Sequence, residues 1–246
     1  MIEAVTFDYW QTLVAERLGD MRTAQIGRFE AILAESEQPR DRPALEEGFA
    51  ANWERFERNW RENLGQYSPA DTVDFLVSHL VLDGSGGLRA RLIDGFREVG
   101  EQVSLRVASG IENCLEALSS AGVRIGIVCD VGLTSSPTLR ERLDGFGLLR
   151  YFDAWAFSDE TGWFKPAAEA FEPALEGLGV RDRARVAHVG DNRRTDVAGA
   201  LALGMVAVRY TGLGHDGSHA PAGDLGPEAH HVISDHRELP GILKIA

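Results

Sequence analysis

The chain has 246 residues, 44% of them apolar and 26% charged, with two cysteines and a formal net charge of −13. No apolar run approaches the ~20 residues of a membrane-spanning helix, and the composition is not that of a disordered or collagen-like chain. The acidic balance argues against nucleic acid or an anionic membrane as a main partner, and Cys114 and Cys129 are too few for a disulfide framework.

The first strand is expected at Ala4 to Phe7, a dense apolar run with no basic or apolar leader before it, so a cytoplasmic location is expected. From Val14 to Leu105 the pattern changes. No strand is expected there; four helices are, near 21–36, 43–63, 69–82 and 87–102. They are separated by Pro39 and Pro43, by Gly65 to Pro69, and by Gly84 to Gly87. Phe49, Trp53, Phe56 and Trp60 recur at helical spacing and read as the core of this helical module rather than a substrate pocket.

Beyond it, helix and strand alternate. Helices are expected at 111–121, 137–145, 167–178 and 195–203, with Gly122, Gly179 and Gly204 as stop signals. Strands are expected at 124–129, 154–157, 185–189 and 206–210, with a weaker one at 231–233. The alternation predicts an α/β fold: a doubly wound, mostly parallel sheet formed by 1–13 and 106–246, with an all-helical domain, 14–105, inserted after the first strand.

Open α/β sheets bind ligands at the carboxyl ends of their strands. Just past the first strand, FDYWQTL places Asp8 and Thr12. Past the second lie Cys129 and Asp130, past the third GWFKP with Lys165, and past the fourth GDNRRTD with Asp191 and Asp196. Only Lys165 and Lys244 among 25 basic residues are lysine, so Lys165 marks a place suited to a compact ammonium. Carboxylates gathered at one edge repel one another unless protonated or neutralised by a cation. An all-oxygen set suits Mg²⁺, which keeps waters and bridges to phosphate, and a strand-tip carboxylate beside it can act as a nucleophile.

FDYWQTL, IVCD, GWFKP and HVGDNRRTDVAGALALGM, in this order and spacing, resemble the four motifs of the haloacid dehalogenase-like (HAD) superfamily, and the helical insertion resembles its type I cap. The similarity runs over essentially the whole chain. It implies a Rossmann-like core, Asp8 as nucleophile and Mg²⁺ ligand, and the backbone carbonyl of Trp10 as a second ligand. It further implies Asp191 as a direct ligand and Asp196 as a further ligand or an acceptor for a metal-bound water. Lys165 would bridge the nucleophile and phosphoryl oxygens, and Thr12 would hold the loop after the strand. Thr12, Cys129 and Asp130 are the candidate substrate-side residues. The resemblance implies a small phosphorylated substrate, with specificity set by cap residues, and a monomer or homodimer.

Two departures stand out. The residue two beyond the nucleophile, an acid in the family's phosphatases, is Trp10, which can neither protonate a leaving group nor activate water. The hydroxyl residue of the second motif is Cys129, a weak donor, and Asp130 stands where Asn is common. A general acid is worth roughly 10²–10⁴ in rate, so this loss implies a specialised or impaired catalyst. The leading expectation is a Mg²⁺-dependent phosphoryl hydrolase or transferase. The alternatives are a metal-independent 2-haloacid dehalogenase, whose branch also carries an aromatic at that position, and a binding or regulatory protein that has lost turnover. His215, His219, His230, His231 and His236 read as having no metal role, with the Gly-rich segment 212–226 as a solvated loop, His188 as a satisfied core residue, and Cys114 as packing.

Overall fold

The computed structural model describes residues 1–16, 20–62, 64–213 and 226–245. His215 and His219 lie outside them. Its strands are β1 (Ala4–Phe7), β2 (Val14–Glu16), β3 (Leu105–Val107), β4 (Arg124–Cys129), β5 (Ala154–Phe157), β6 (Val186–Gly190), β7 (Val206–Tyr210) and β8 (His231–Ile233). Six form one parallel sheet in the order β5-β4-β1-β6-β7-β8. β1 is buried on both faces along its whole length, as its unbroken apolar run requires for a central strand. In its register with β6, Thr6 is the partner of His188 and Phe7 of Val189.

The chain divides into two compact units, one of Met1–Ala15, Arg106–Asp130 and Arg140–Ala246, the other of Glu16–Leu105 and Val131–Leu139. The first is the α/β unit. Apolar side chains of β4 and β5, the helix Glu172–Leu178 and the segment Val197–Ala207 form one of its cores, with Phe171 fully buried among them. The expected helix 167–178 is broken: a 3₁₀ turn at Ala168–Ala170 precedes Glu172–Leu178, and Pro173 stands in the first turn of the latter, where its missing N–H costs nothing.

The second unit holds α1 (Asp20–Glu35), α2 (Arg42–Glu62), α3 (Pro69–His79) and α4 (Leu88–Gln102). α3 begins with a reciprocal cap. Ser68 accepts from the Asp71 N–H, the Asp71 carboxylate accepts from the Ser68 N–H, and Pro69 follows the cap. The unit's core joins Ile26, Phe29, Leu45, Phe49, Leu76, Leu92 and Phe96. Phe49 packs there as the stripe implies, whereas Trp53, Phe56 and Trp60 stay half-buried and stack in a row along α2.

Two boundaries differ from the sequence expectation. The segments flanking the helical unit are not strand-free, because β2 and β3 pair as a separate two-stranded sheet. Residues 131–139 group with the helical unit, since Leu133 packs on that unit's apolar cluster. Among the described residues no helix is long and apolar enough to cross a membrane.

Candidate active site

Asp8 directly follows β1, and its backbone N–H continues the ladder by donating to Val189 O at 2.8 Å. The chain then folds into a tight turn. Leu13 and Val14 N–H donate to Tyr9 O at 2.9 and 3.1 Å, and Gln11 N–H donates to Val14 O at 2.8 Å. Gln11 takes a left-handed backbone conformation, φ 57°, which costs a non-glycine residue about 1 kcal/mol and is held here by those bonds. Thr12 is fully buried, its hydroxyl 3.4 Å from Asp8 Oδ2. The Trp10 ring lies edge-on to Tyr9 at 5.0 Å and is half-buried.

Lys165 brings the sheet edge together. Its Nζ donates to Asp8 Oδ1 at 2.5 Å, to Asp196 Oδ1 at 2.6 Å and to Val128 O at 3.1 Å. Its backbone N–H donates to Asp130 Oδ1 at 3.0 Å, so Asp130 ties the loop after β4 to the lysine's own loop. Cys129, the last residue of β4, is buried; burial first, and then the Asp8 charge, hold its thiol well above the ordinary range.

Asp196 arrives through the start of the next helix. The Asn192 side chain accepts from Arg194 and Thr195 N–H at 2.9 and 3.3 Å, capping a widened turn, Arg193–Val197, in which Val197 N–H reaches back to Asn192 O. Asp196 folds toward β6, and its Oδ2 accepts from Asn192 N–H at 3.0 Å. Space for this exists because residue 190 is glycine: a Cβ there would lie 2.2 Å from Asp196 Cγ.

One carboxylate oxygen each from Asp8, Asp191 and Asp196 lies within 4.8 Å of the other two. Burial raises the Asp8 pKa well above its ordinary value. Lys165 opposes that rise, while Asp196 and Asp191 add to it. Burial would also raise Asp196, but the Lys165 charge and the His188 hydrogen bond outweigh it and hold that carboxyl well below its ordinary value. Burial alone would lower Lys165; the charges of Asp196, Asp8 and Asp130 reverse this and raise it. One ammonium, 2.5 Å from Asp8 and 2.6 Å from Asp196, therefore faces three carboxylates and cannot neutralise them all. Three clustered carboxylates with oxygen donors only and a surplus of negative charge fit a hard divalent cation.

Two histidines read from the sequence as bland support this edge. His188 is 1% exposed, its Nδ1 2.9 Å from Thr6 Oγ1 and its Nε2 3.2 Å from Asp196 Oδ1. His236 begins a 3₁₀ turn, His236–Glu238. It is fully buried, stacked on Tyr210 with centroids 4.1 Å apart, and its Nε2 donates to Thr12 O at 2.8 Å. The signal for His188 was in the strand: a polar side chain in a wholly buried run must find a partner, and the register supplies Thr6. His236 carries no comparable signal, because its partner is 224 residues away.

A family model described as haloacid dehalogenase-like hydrolase matches residues 2–204. A bovine (Bos taurus) haloacid dehalogenase-like hydrolase domain-containing protein 3 is 27% identical over 60% of this chain and 56% of its own, so the match spans just over half of that relative's length. A HAD phosphatase from Thermococcus onnurineus superimposes with a TM-score of 0.66 at 25% identity, covering 99% of both chains. A 2-haloacid dehalogenase from Pseudomonas syringae pv. tomato shares the fold, with a TM-score of 0.69 at 23% identity over 99% of both chains. With the acidic edge, its lysine and the family model in agreement over most of its length, the chain belongs to the haloacid dehalogenase-like hydrolase family.

Proposed function

We propose that the protein is a Mg²⁺-dependent phosphoryl hydrolase or transferase acting on a small phosphorylated substrate, with Asp8 as nucleophile. The observation that carries this reading is the Lys165 ammonium, 2.5 Å from the buried Asp8 and 2.6 Å from the buried Asp196, in a cluster that also holds the half-buried Asp191. A dehalogenase has no use for that surplus of carboxylate, because halide departs without a proton and without a metal. The likeness to a HAD phosphatase from Thermococcus onnurineus supports the same choice.

In this reading Lys165 holds Asp8 Oδ1 and turns Oδ2 toward substrate, with the Thr12 hydroxyl behind it. Oδ2 attacks phosphorus, and the bond to the leaving oxygen breaks with its electron pair. Water then attacks the same phosphorus, the bond from phosphorus to Asp8 Oδ2 breaks with its electron pair, and the protons of the water leave on the phosphate, which restores the Asp8 carboxylate. The ammonium spreads the charge of the phosphoryl oxygens in the transition state. Asp8, Asp191 and the Trp10 carbonyl would hold the Mg²⁺. Asp196 already accepts from Lys165, His188 and Asn192, so it keeps room for one donor such as a metal-bound water. Bound Mg²⁺ supplies Lewis-acid neutralisation of the phosphoryl group. No side chain at position 10 can protonate the leaving oxygen. The favoured substrates are therefore acyl phosphates and aryl phosphates, whose leaving groups are stable as anions.

The test is hydrolysis of acetyl phosphate and p-nitrophenyl phosphate by the purified protein with Mg²⁺. Activity should vanish with EDTA and fall by about 10³-fold or more in Asp8→Asn. Activity indifferent to both, or halide release from a 2-haloacid without metal, overturns the proposal. The second outcome would favour the dehalogenase reading that the aromatic at Trp10 leaves open.

A further inference from the structure

We propose that His188 is a positioning residue that acts as a tautomer-locked strut, holding Asp196 so that Lys165 stays shared between Asp196 and Asp8. This deepens the reading above, because it concerns how the proposed nucleophile keeps its ammonium partner.

The hydrogen-bond directions follow from the donors and acceptors present. Asp196 already accepts from the Lys165 ammonium through Oδ1 and from Asn192 N–H through Oδ2, so it is a carboxylate. A carboxylate only accepts, so the His188 Nε2 that faces Oδ1 at 3.2 Å must carry a proton. The opposite nitrogen, Nδ1, lies 2.9 Å from Thr6 Oγ1, while that hydroxyl is 3.5 Å from its other acceptor, Ala187 O. The hydroxyl proton therefore points at Nδ1, which receives it as a lone pair.

The strut runs one way: Thr6 O–H donates to Nδ1, and Nε2–H donates to Asp196. It exists because parallel pairing of β1 with β6 sets Thr6 beside His188, two residues before the nucleophile and three before Asp191. The Phe171 ring, edge-on at 5.1 Å, limits rotation of the imidazole. Asp196 is thus pinned by three donors from three different positions, and its Oδ1 holds Nζ where Nζ also reaches Asp8. Without the Nε2–H donor the carboxylate can turn about its remaining bonds, and the ammonium loses its fixed place.

Two measurements test this. The first needs no activity: ¹⁵N spectra of the metal-free protein report the tautomer of each histidine, and His188 is expected as neutral Nε2–H. The chain has only two lysines, Lys165 and Lys244, so lysine ammonium spectra contain at most two signals. His188→Phe, which keeps a ring and removes both nitrogens, should shift or broaden the Lys165 signal and leave Lys244 unmoved. The second is kinetic, with Mg²⁺ and p-nitrophenyl phosphate. His188→Phe should lower kcat by about 10- to 100-fold with little change in KM, the usual cost of losing a group that orients a ligand of the site. His188→Gln, which can still donate toward Asp196, should restore most of kcat. Thr6→Val, matched in volume, should lower kcat in the same direction and mix the His188 tautomers.

An Nδ1–H tautomer or an imidazolium at His188 overturns the proposal, as does a His188→Phe protein whose Lys165 signal and kcat are both unchanged. If His188→Phe does not fold, the wild-type tautomer and the Thr6→Val spectrum decide. If the wild-type protein hydrolyses no phosphate, the proposed function fails while the strut is still judged by the spectra alone.

Discussion

Lys165 reaches Asp8 from 157 residues further along the chain and places Nζ 2.5 Å from its Oδ1, with both side chains almost wholly withdrawn from water. A compact ammonium can touch Asp8, Asp196 and the Val128 carbonyl at once; a planar guanidinium cannot. Lys165→Arg should therefore lower kcat on p-nitrophenyl phosphate by roughly 10²-fold or more despite keeping the charge. Lys165→Met leaves buried carboxylates without their cation and should destabilise the protein by about 3–5 kcal/mol at neutral pH. With the cation gone, burial raises both carboxyl groups above their unfolded values, so the native state takes up protons first and the loss shrinks as pH falls. Chemical denaturation of Lys165→Met and wild type between pH 4 and 7 checks this, and equal stability of the two would contradict it.

Gly190 gives Asp196 its place. The Cβ of Gly190→Ala would lie 2.2 to 2.6 Å from the atoms of the Asp196 carboxylate, which has no free direction because Lys165, His188 and Asn192 hold it. The expected result is a loss of about 1–3 kcal/mol in stability with at least a roughly tenfold fall in activity. Thermal unfolding and steady-state assays on one preparation measure both.

Trp10 removes the proton donor from the leaving-group side. Trp10→Asp should raise turnover of an alkyl phosphate by about tenfold or more, because that leaving group needs a proton. It should change acetyl phosphate hydrolysis far less. The informative quantity is the ratio of the two rates. An unchanged ratio means the pocket does not present residue 10 to the leaving oxygen.

His236 links stability to pH. Burial pushes its pKa down from 6.5 to about 4, opposed by the Thr12 carbonyl that Nε2–H donates to and by the Asp235 charge. Its folded pKa lies below its unfolded one, so the unfolded chain binds the extra proton between these values. Stability is complete above pH 6.5 and falls as pH drops toward 4, by about 3 kcal/mol in all. His236→Gln keeps a donor for Thr12 O but does not titrate, and should flatten this limb of the stability curve. Urea unfolding of both proteins at intervals from pH 7 to 4 measures the difference, and parallel curves would refute the assignment.

The parallel sheet was legible because its inner strands are buried on both faces and so read as dense apolar runs; β1, β4, β5 and β7 were expected at the bounds observed, as was the weaker, mostly exposed edge strand β8. β2 and β3 were not legible. Each is three residues long, and such short strands are defined by their pairing more than by their own composition. Asp8, Lys165, Asp191 and Asp196 could be named from the chain, since chemistry at a sheet edge needs side chains just past strand ends and local turns put them there. The packing role of His236 was not legible because its neighbours in sequence are polar while its neighbours in space are Phe7, Tyr210 and Thr12.

Local sequence, then, dictated which residue types stand at each strand tip, because backbone periodicity and capping act over a few residues. Folding alone settled which oxygen meets which donor: that Lys165 divides itself between Asp8 and Asp196, that Asp130 holds a backbone N–H, and that Thr6 and His188 stand side by side. These pairings depend on strand register and on burial, which strips water from the groups and makes the choice of partner decisive. Both are properties of distant segments packed together, and no single stretch of the chain contains them.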